Sequence, residues 1–155
     1  MVEIVQRQFE PPVQMLSQLV NLGSEELWRN HNLMYWKHIL HAITGIEFWL
    51  REAGEEFHLP HFDKDISPDF EKEGADDPTR EELAAYIEQM LQKAQAFITQ
   101  LDDETLLEPS AVFEQFTKLD VILMQAVHIQ HHVGYCNSIL HTQGSVTAAW
   151  VGYEG

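Results

Sequence analysis

Apolar side chains recur at helical intervals along most of the chain. Val13, Leu16 and Val20 are separated by three and four residues, which is typical of one face of an amphipathic helix. The proline pair at 11–12 suits the first turn of such a helix, and Gly23 suits the position just after its end. The pattern therefore predicts a first helix that starts near the prolines and stops before Gly23.

Three later segments carry the same period. Residues 32–52 hold large apolar groups throughout, which predicts a second helix with Gly54 as its expected stop. A third helix is predicted to start at the sequence TREEL, where Thr79 and Glu82 have the spacing of a capping box. The last helix is predicted over residues 118–142, so the chain is expected to be helical over most of its length.

The connections between these segments complete the predicted architecture. Between Glu55 and Pro78 the composition shifts to prolines, glycine and acids, which predicts a long acidic crossover loop rather than a domain boundary. Thr117 and Asp120 offer a second capping pair before the last helix. Four helices with one long connection, between helices 2 and 3, predict an all-α four-helix bundle in which residues 1–155 form a single domain.

Charge and composition narrow the classes of partner. The 155-residue chain carries 25 acidic and 9 basic residues, which gives a formal net charge of −16. Such a surface repels a nucleic-acid duplex or an anionic membrane, so neither is an expected partner. Cys136 is the only cysteine, so no intrachain disulfide can form. The sequence shows no signal peptide and no membrane-spanning stretch, and we expect a cytoplasmic protein.

Histidines concentrate in the last predicted helix, in the stretch AVHIQHHVGY. On a helical wheel of about 100° per residue, His132 falls inside the apolar arc and His128 lies slightly to one side of it, whereas His131 falls near the polar boundary. His128 and His132 therefore face the predicted interior one turn apart, close enough for both rings to bind one ion. A third ligand from a facing helix would give the three-ligand site with an open position that is typical of catalytic zinc.

The second predicted helix offers candidates for the third ligand. It carries His31, His38 and His41, and the apolar arc of its wheel favours His38 slightly over His41. Periodicity alone leaves that choice open. The competing interpretation is that one or two of these histidines are hydrogen-bonded core residues and that the others face solvent.

Two short motifs carry a resemblance to a known family. In HILHAITGIEFWL, His41 precedes Trp49 by eight positions, and in HIQHHVGY the residues His128, His132 and Gly134 form an H-x3-H-x-G pattern. With these motifs the chain resembles the DinB-like superfamily of metal-dependent four-helix-bundle proteins. The resemblance implies a three-histidine site made of His41, His128 and His132 that holds a divalent metal ion, usually zinc or nickel. Where family members often have H-R-G-Q, this chain has H-V-G-Y, so an arginine and an amide are absent.

Such a site suggests two reactions on an unidentified small-molecule substrate. Three neutral imidazoles leave the full charge of the ion in place, so water at the open position can lose a proton near neutral pH and act as the nucleophile of a hydrolase. Alternatively, the open position binds a low-molecular-weight thiol, and the metal ion lowers the pKa of that thiol and presents it to an electrophile. The resemblance permits this reading, because some relatives are thiol-dependent transferases. A third hypothesis is a non-catalytic helical module with a structural metal or none.

Several other residues, most of them near the histidine motifs, are less strongly indicated as part of a functional site. Glu47 should point away from His41, because the two lie about 120° apart on the wheel. Tyr135 is expected in the core rather than in a pocket, and Cys136 is expected to be a buried structural thiol. The remaining histidines are expected to face solvent or lie in loops: His31, His58, His61 and His141.

Apolar residues outside the predicted core stripes bear on the oligomeric state. Trp28, Trp150 and Tyr153 are of this kind. Exposed apolar surface on a helical protein of this size is a common site of self-association, so we expect these residues to support a homodimer.

Overall fold

The computed structural model describes residues 1–60 and 62–152, and this part of the chain contains five α-helices and no strand. The helices are α1 (Val2–Val20), α2 (Glu25–Trp28), α3 (Tyr35–Trp49), α4 (Arg80–Thr99) and α5 (Lys118–Thr142). A 3-10 turn at Thr105–Leu107 lies between α4 and α5. The predicted all-α class is confirmed, while the expectations for His61 and Tyr153 lie outside the described residues.

The starts of α4 and α5 are fixed by the two predicted caps. Thr79 Oγ1 accepts a hydrogen bond from the backbone N–H of Glu82 (3.1 Å), and the Glu82 carboxylate accepts one from the N–H of Thr79 (2.7 Å). Thr117 and Asp120 form the same reciprocal pair at the start of α5. Each pair satisfies two backbone donors that a helix start leaves without partners. Both starts match the prediction, and α5 also ends at Thr142 as predicted.

The first helix starts much earlier than the prolines suggested. α1 begins at Val2, so Pro11 and Pro12 lie inside it rather than in its first turn. Each proline lacks the N–H that would donate to the carbonyl four residues back, which weakens the middle of the helix. Burial offsets this loss, because Val5 and Phe9 extend the apolar stripe towards the N-terminus and both lie in the core.

The helix that carries His41 is shorter at both ends than the predicted segment 32–52. Before its start, Asn30 Oδ1 accepts hydrogen bonds from the backbone N–H groups two and three residues later, which holds the chain in a turn. Met34 then adopts a left-handed backbone (φ 51°), and α3 begins at the next residue. The helix stops at Trp49, and Gly54 lies further on in a turn at φ +85°.

The four long helices enclose the apolar core. α4 and α5 each pack against both α1 and α3. The largest fully buried side chains include Phe9, Leu16, Ile39, Ile43, Leu83 and Ile98. The contact between α3 and α5 brings the two histidine-bearing helices together. Within the described residues, no helix combines the length and the apolar character that a membrane crossing requires.

The long connection between α3 and α4 is anchored to the helices by hydrogen bonds. The indole N–H of Trp28 donates to the carbonyl of Pro78 (2.9 Å), and the buried ammonium of Lys37 donates to the carbonyl of Lys72 (2.5 Å). Trp28 is therefore buried and cannot belong to the exposed dimer surface expected for it, whereas Trp150 is exposed. The Lys37 bond holds the connection against α3, and the Trp28 bond holds its end against α2.

Candidate functional site

Three imidazoles converge where α3 meets α5. His41 comes from α3, and His128 and His132 come from successive turns of α5. One candidate ligand nitrogen from each ring lies within 4.8 Å of the other two. The ring centroid of His41 is 5.1 Å from each of the other two, which are 4.8 Å apart. The structure thus brings together the three histidines that the family resemblance implies.

The spacing of the α5 nitrogens suits a small divalent ion. The Nε2 atoms of His128 and His132 are 3.2 Å apart. Two nitrogens on a tetrahedral ion, with bonds of about 2.0–2.1 Å, lie about 3.3 Å from each other. The α5 pair therefore has the required separation, and the His41 ring stands beside it as a third donor.

The outer nitrogen of His41 is held by the connection between α3 and α4. His41 Nδ1–H donates to the carbonyl of Pro68 (3.0 Å), since a carbonyl oxygen can only accept. A neutral imidazole with its proton on Nδ1 has its lone pair on Nε2. Pro68 thus orients His41 in the manner that is usual for metal-binding histidines.

His38 contacts the cluster from its outer side. Its Nδ1 lies 3.0 Å from Nδ1 of His132. When His132 carries its proton on Nδ1 and donates it to His38, His132 Nε2 is left to face His41 and His128. The structure therefore differs from the slight preference of the helical wheel, because His41 joins the cluster and His38 lies behind His132.

Aromatic rings cover His38. The ring centroids of Tyr135 and Phe70 lie 4.1 Å and 4.6 Å from that of His38. Tyr135 is 46% exposed, so the expectation of a core tyrosine is wrong. Its position, three residues after His132, places it at the edge of the buried face rather than within it.

The outer nitrogen of His128 faces a buried polar notch. His128 Nδ1 and Gln125 Oε1 are both buried, and neither has a hydrogen-bond partner within the described residues. A Cβ built on Gly45 of α3 would lie 3.2 Å from that Nδ1 and 2.3 Å from that Oε1. The absence of a side chain at Gly45 therefore makes room for both groups. The notch places an amide acceptor near a nitrogen that needs one.

Burial keeps the imidazoles of His38, His128 and His132 neutral. Desolvation, followed by repulsion from neighbouring histidines, lowers the pKa of His132 from 6.5 to about 3. The same causes lower the pKa of His38 and the pKa of His128 to about 4. At neutral pH these side chains are in the uncharged form that binds metals.

A cavity of about 620 Å³ opens beside His41 and His128. Its apolar walls come from α3, α5 and the connection after α3, and they include Phe48, Trp49, Phe57, Leu59 and Met124. Small-molecule sites typically have volumes of about 300–1,000 Å³ and mainly apolar linings. The cavity therefore gives a small molecule a route to the histidine cluster.

Other residues singled out from the sequence lie away from the cluster. Glu47 is buried and pairs with Lys93 of α4 (3.0 Å), which confirms that it points away from His41. Cys136 is fully buried, with its Sγ 3.8 Å from the carbonyl oxygen of Tyr35, and burial raises the pKa of this thiol to about 12, as expected of a structural cysteine. Among the histidines that the structure describes, His31, His58, His131 and His141 are exposed.

Three contributors to the site were not identified from the sequence, namely Gln125, Gly45 and the Pro68 carbonyl. Gln125 lies three residues before His128, at the centre of the apolar arc of the last helix, where a polar side chain is unusual. A polar side chain at that position could have identified Gln125 as a candidate site residue. The Pro68 carbonyl had none, because its place depends on the path of a long connection without periodicity.

Comparison with known proteins adds one match. The family model for the DinB superfamily matches residues 17–136, which is most of the chain and contains all three clustered histidines. No curated protein and no solved structure matches the chain.

Proposed function

Because the chain belongs to the DinB superfamily and brings three imidazoles together, we propose that it binds one divalent metal ion through His41, His128 and His132. The observation that carries the proposal is the convergence of three imidazoles whose candidate ligand atoms all lie within 4.8 Å of one another. Imidazole nitrogen suits zinc and nickel alike, so the proposal covers either ion.

The outer nitrogens of the imidazoles support this assignment. His41 has the Pro68 carbonyl as its acceptor, and His132 has His38. We propose that Gln125 completes the set, with its amide rotated so that Oε1 accepts the Nδ1 proton of His128. Partners of this kind fix the ring orientation and the position of the proton, and their loss typically weakens metal binding.

For the fold, we propose a four-helix bundle in which residues 1–155 form a single domain. Support comes from the contacts, since α4 and α5 each pack against both α1 and α3. Residues 50–79, which join α3 to α4, would then be the acidic crossover.

We propose that the site is open to small molecules and acts on one. The described residues supply three clustered ligand candidates, and the cavity reaches two of them, His41 and His128. Catalytic zinc sites typically have three protein ligands and an open position, whereas structural zinc sites are closed by a fourth protein ligand. When bound, a divalent ion supplies positive charge that lowers the pKa of a water or a thiol.

The two reactions require different proton transfers, and this difference favours thiol-dependent transfer over hydrolysis. Hydrolysis calls for a group that takes a proton from water and returns one to the leaving group. Glu47 is paired with Lys93, and Asp69, the one carboxylate among the described cavity residues, lies 3.7 Å from the ammonium of Lys72. A thiol has a single proton to lose, and solvent in the open cavity can accept it. We therefore favour a transferase that uses a low-molecular-weight thiol, with metal-dependent hydrolysis as the second reaction to test.

A non-catalytic module with a structural ion is the alternative from another class. It would require a fourth protein ligand to close the site. The cavity beside His41 and His128 counts against that arrangement, because it leaves space next to the cluster.

Metal content measured by elemental analysis tests the proposal. In protein purified without chelator we expect about one equivalent of zinc or nickel, and none in the His128→Ala, His132→Ala double variant. His131→Ala is the matched control, since His131 is an exposed histidine on the same helix and its loss should leave the metal content unchanged. A parent protein that takes up neither added zinc nor added nickel would contradict the proposal.

Two single variants separate the roles of His38 and His41. His41→Ala removes a ligand and should abolish stoichiometric binding. His38→Ala removes the outer partner of His132 and should weaken binding by about 10–100-fold. If His38→Ala abolishes binding and His41→Ala does not, His38 is the ligand instead.

The reaction is tested with the metal-loaded protein. Thiol-dependent transfer predicts metal-dependent consumption of 2-mercaptoethanol in the presence of an aryl halide. Metal-dependent hydrolysis predicts turnover of an aryl ester without any thiol. Neither activity across a panel of such substrates would favour the non-catalytic module.

A further inference from the structure

The cavity beside the histidines has walls that select a class of ligand. Resting on the proposed metal site, we propose that its ligand is a small molecule with an aromatic or bulky apolar body and a metal-binding donor at one end. The cavity volume of about 620 Å³ accommodates a molecule considerably larger than water or a bare thiol. His41 and His128 line one part of the cavity, so the donor end would face them.

Aromatic side chains form a continuous part of the wall. The ring centroids of Phe48 and Trp49 are 5.2 Å apart, those of Phe48 and Phe57 are 5.3 Å apart, and both pairs meet edge to face. All three rings line the cavity. Aromatic rings prefer such contacts at centroid separations of about 4.5–7 Å, so a ring on the ligand can extend the cluster.

Apart from Gln125 and His128, the polar side chains of the described lining already have partners. Thr44 Oγ1 donates to the carbonyl of Leu40 (2.8 Å), and Ser67 Oγ accepts from the backbone N–H of Asp69 (3.2 Å). The charges of Asp69 and Lys72 lie 3.7 Å apart. These pairings leave few groups in the described lining to recognise a highly polar ligand, so apolar contact is the main source of affinity away from the metal.

Two apolar side chains at the cavity are also open to solvent. Leu59 is 56% exposed and Met124 is 37% exposed. A ligand with an apolar body would cover both, and removing such surface from water is favourable. Leu123, the neighbour of Met124 on α5, is 44% exposed but does not line the cavity, so it offers a matched control.

A pair of hydroxamates tests the proposal, because a hydroxamate binds divalent metals whichever reaction the site performs. Benzohydroxamate has a phenyl group where acetohydroxamate has a methyl group. Their dissociation constants are measured by isothermal titration calorimetry with the zinc-loaded protein. We expect benzohydroxamate to bind about tenfold or more tightly. In Met124→Gln this preference should fall by about threefold or more, and in Leu123→Gln it should match the parent.

The outcomes distinguish this proposal from the proposed function. Metal content is measured first, after addition of zinc or nickel, and a protein that takes up neither ion overturns the metal site before any ligand is added. If zinc is bound and the two hydroxamates bind equally well, the aromatic-ligand proposal is overturned while the metal site stands. A preference that survives Met124→Gln, or that is lost equally in Leu123→Gln, also overturns it, because the effect then does not come from the cavity wall.

Discussion

Replacement of Gly45 by alanine separates helix propensity from packing at the contact between α3 and α5. In an ordinary helix interior, alanine is more favourable than glycine by about 1 kcal/mol. At Gly45 the new methyl group would lie 2.3 Å from Gln125 Oε1 and 3.2 Å from His128 Nδ1. Gln125 is only 2% exposed, so its amide has to repack among buried neighbours or turn towards the cavity, and overpacking of this kind costs about 1–3 kcal/mol. We therefore expect Gly45→Ala to destabilise the protein by about 0–2 kcal/mol.

Gly134→Ala is the matched control. Gly134 also lies inside a long helix, but a Cβ built on it would meet no atom within 4 Å. We expect this variant to gain about 1 kcal/mol from helix propensity alone. Urea denaturation of the metal-free proteins gives both free energies of unfolding, and the difference between the two variants measures the packing cost at Gly45.

The two variants should also differ in zinc affinity. Displacement of Gln125 and His128 by the new methyl group should weaken zinc binding by about tenfold or more in Gly45→Ala, while Gly134→Ala should bind like the parent. Competition with a chromophoric chelator measures both. Two variants that are equally stabilised and bind zinc equally well would refute the packing argument. If Gln125 is the group displaced, the packing cost should shrink in a Gln125→Ala background.

Three further predictions concern the same cluster and its helix. Gln125→Met removes the buried amide at similar volume and should lower zinc affinity by about 10–100-fold in the chelator assay, with little loss of stability. The pKa of His132 is lowered to about 3 and those of His38 and His128 to about 4, against 6.5 for the unfolded chain. The unfolded chain therefore binds more protons below pH 6.5, and the free energy of unfolding of the metal-free protein should fall from about pH 6.5 towards 5. Urea denaturation across that range should show a flatter profile in the His128→Ala, His132→Ala variant, and an equally steep one would contradict the assignment. Thr117→Ala removes the α5 cap and should cost about 1 kcal/mol in urea denaturation without changing zinc affinity.

Local signals account for the parts of the fold that were predicted correctly. α4 and α5 were predicted with their starts, because a capping box is a pattern of neighbouring residues. The start of α1 was not predicted correctly. The Pro11–Pro12 pair is a local signal for a helix start, but burial of the preceding turns overrides it. A competing turn at Asn30 likewise shortened α3, although the apolar pattern continued through it.

For the candidate site, too, the sequence predicts the part that depends on a single helix and leaves open the part that depends on packing between helices. Periodicity identified His128 and His132 as a pair on one helix face, since both lie on a single element. The choice between His38 and His41 depends on how α3 is rotated against α5, which is a tertiary property that periodicity does not contain. The family motifs favoured His41, and the structure places it in the cluster.

The connection between α3 and α4 has a consequence for how this protein tolerates changes in length. Surface connections usually accept insertions and deletions readily. Here the acceptor for His41, part of the cavity wall and the carbonyl that receives Lys37 all fall within residues 67–72. Extra residues near Gly54, where a Cβ would meet nothing within 4 Å, should be accepted, whereas a single deletion within 67–72 would shift the partners of the histidine cluster out of register. Length variation in this connection should therefore be confined to the residues around Gly54, before Phe57 and Leu59 of the cavity wall.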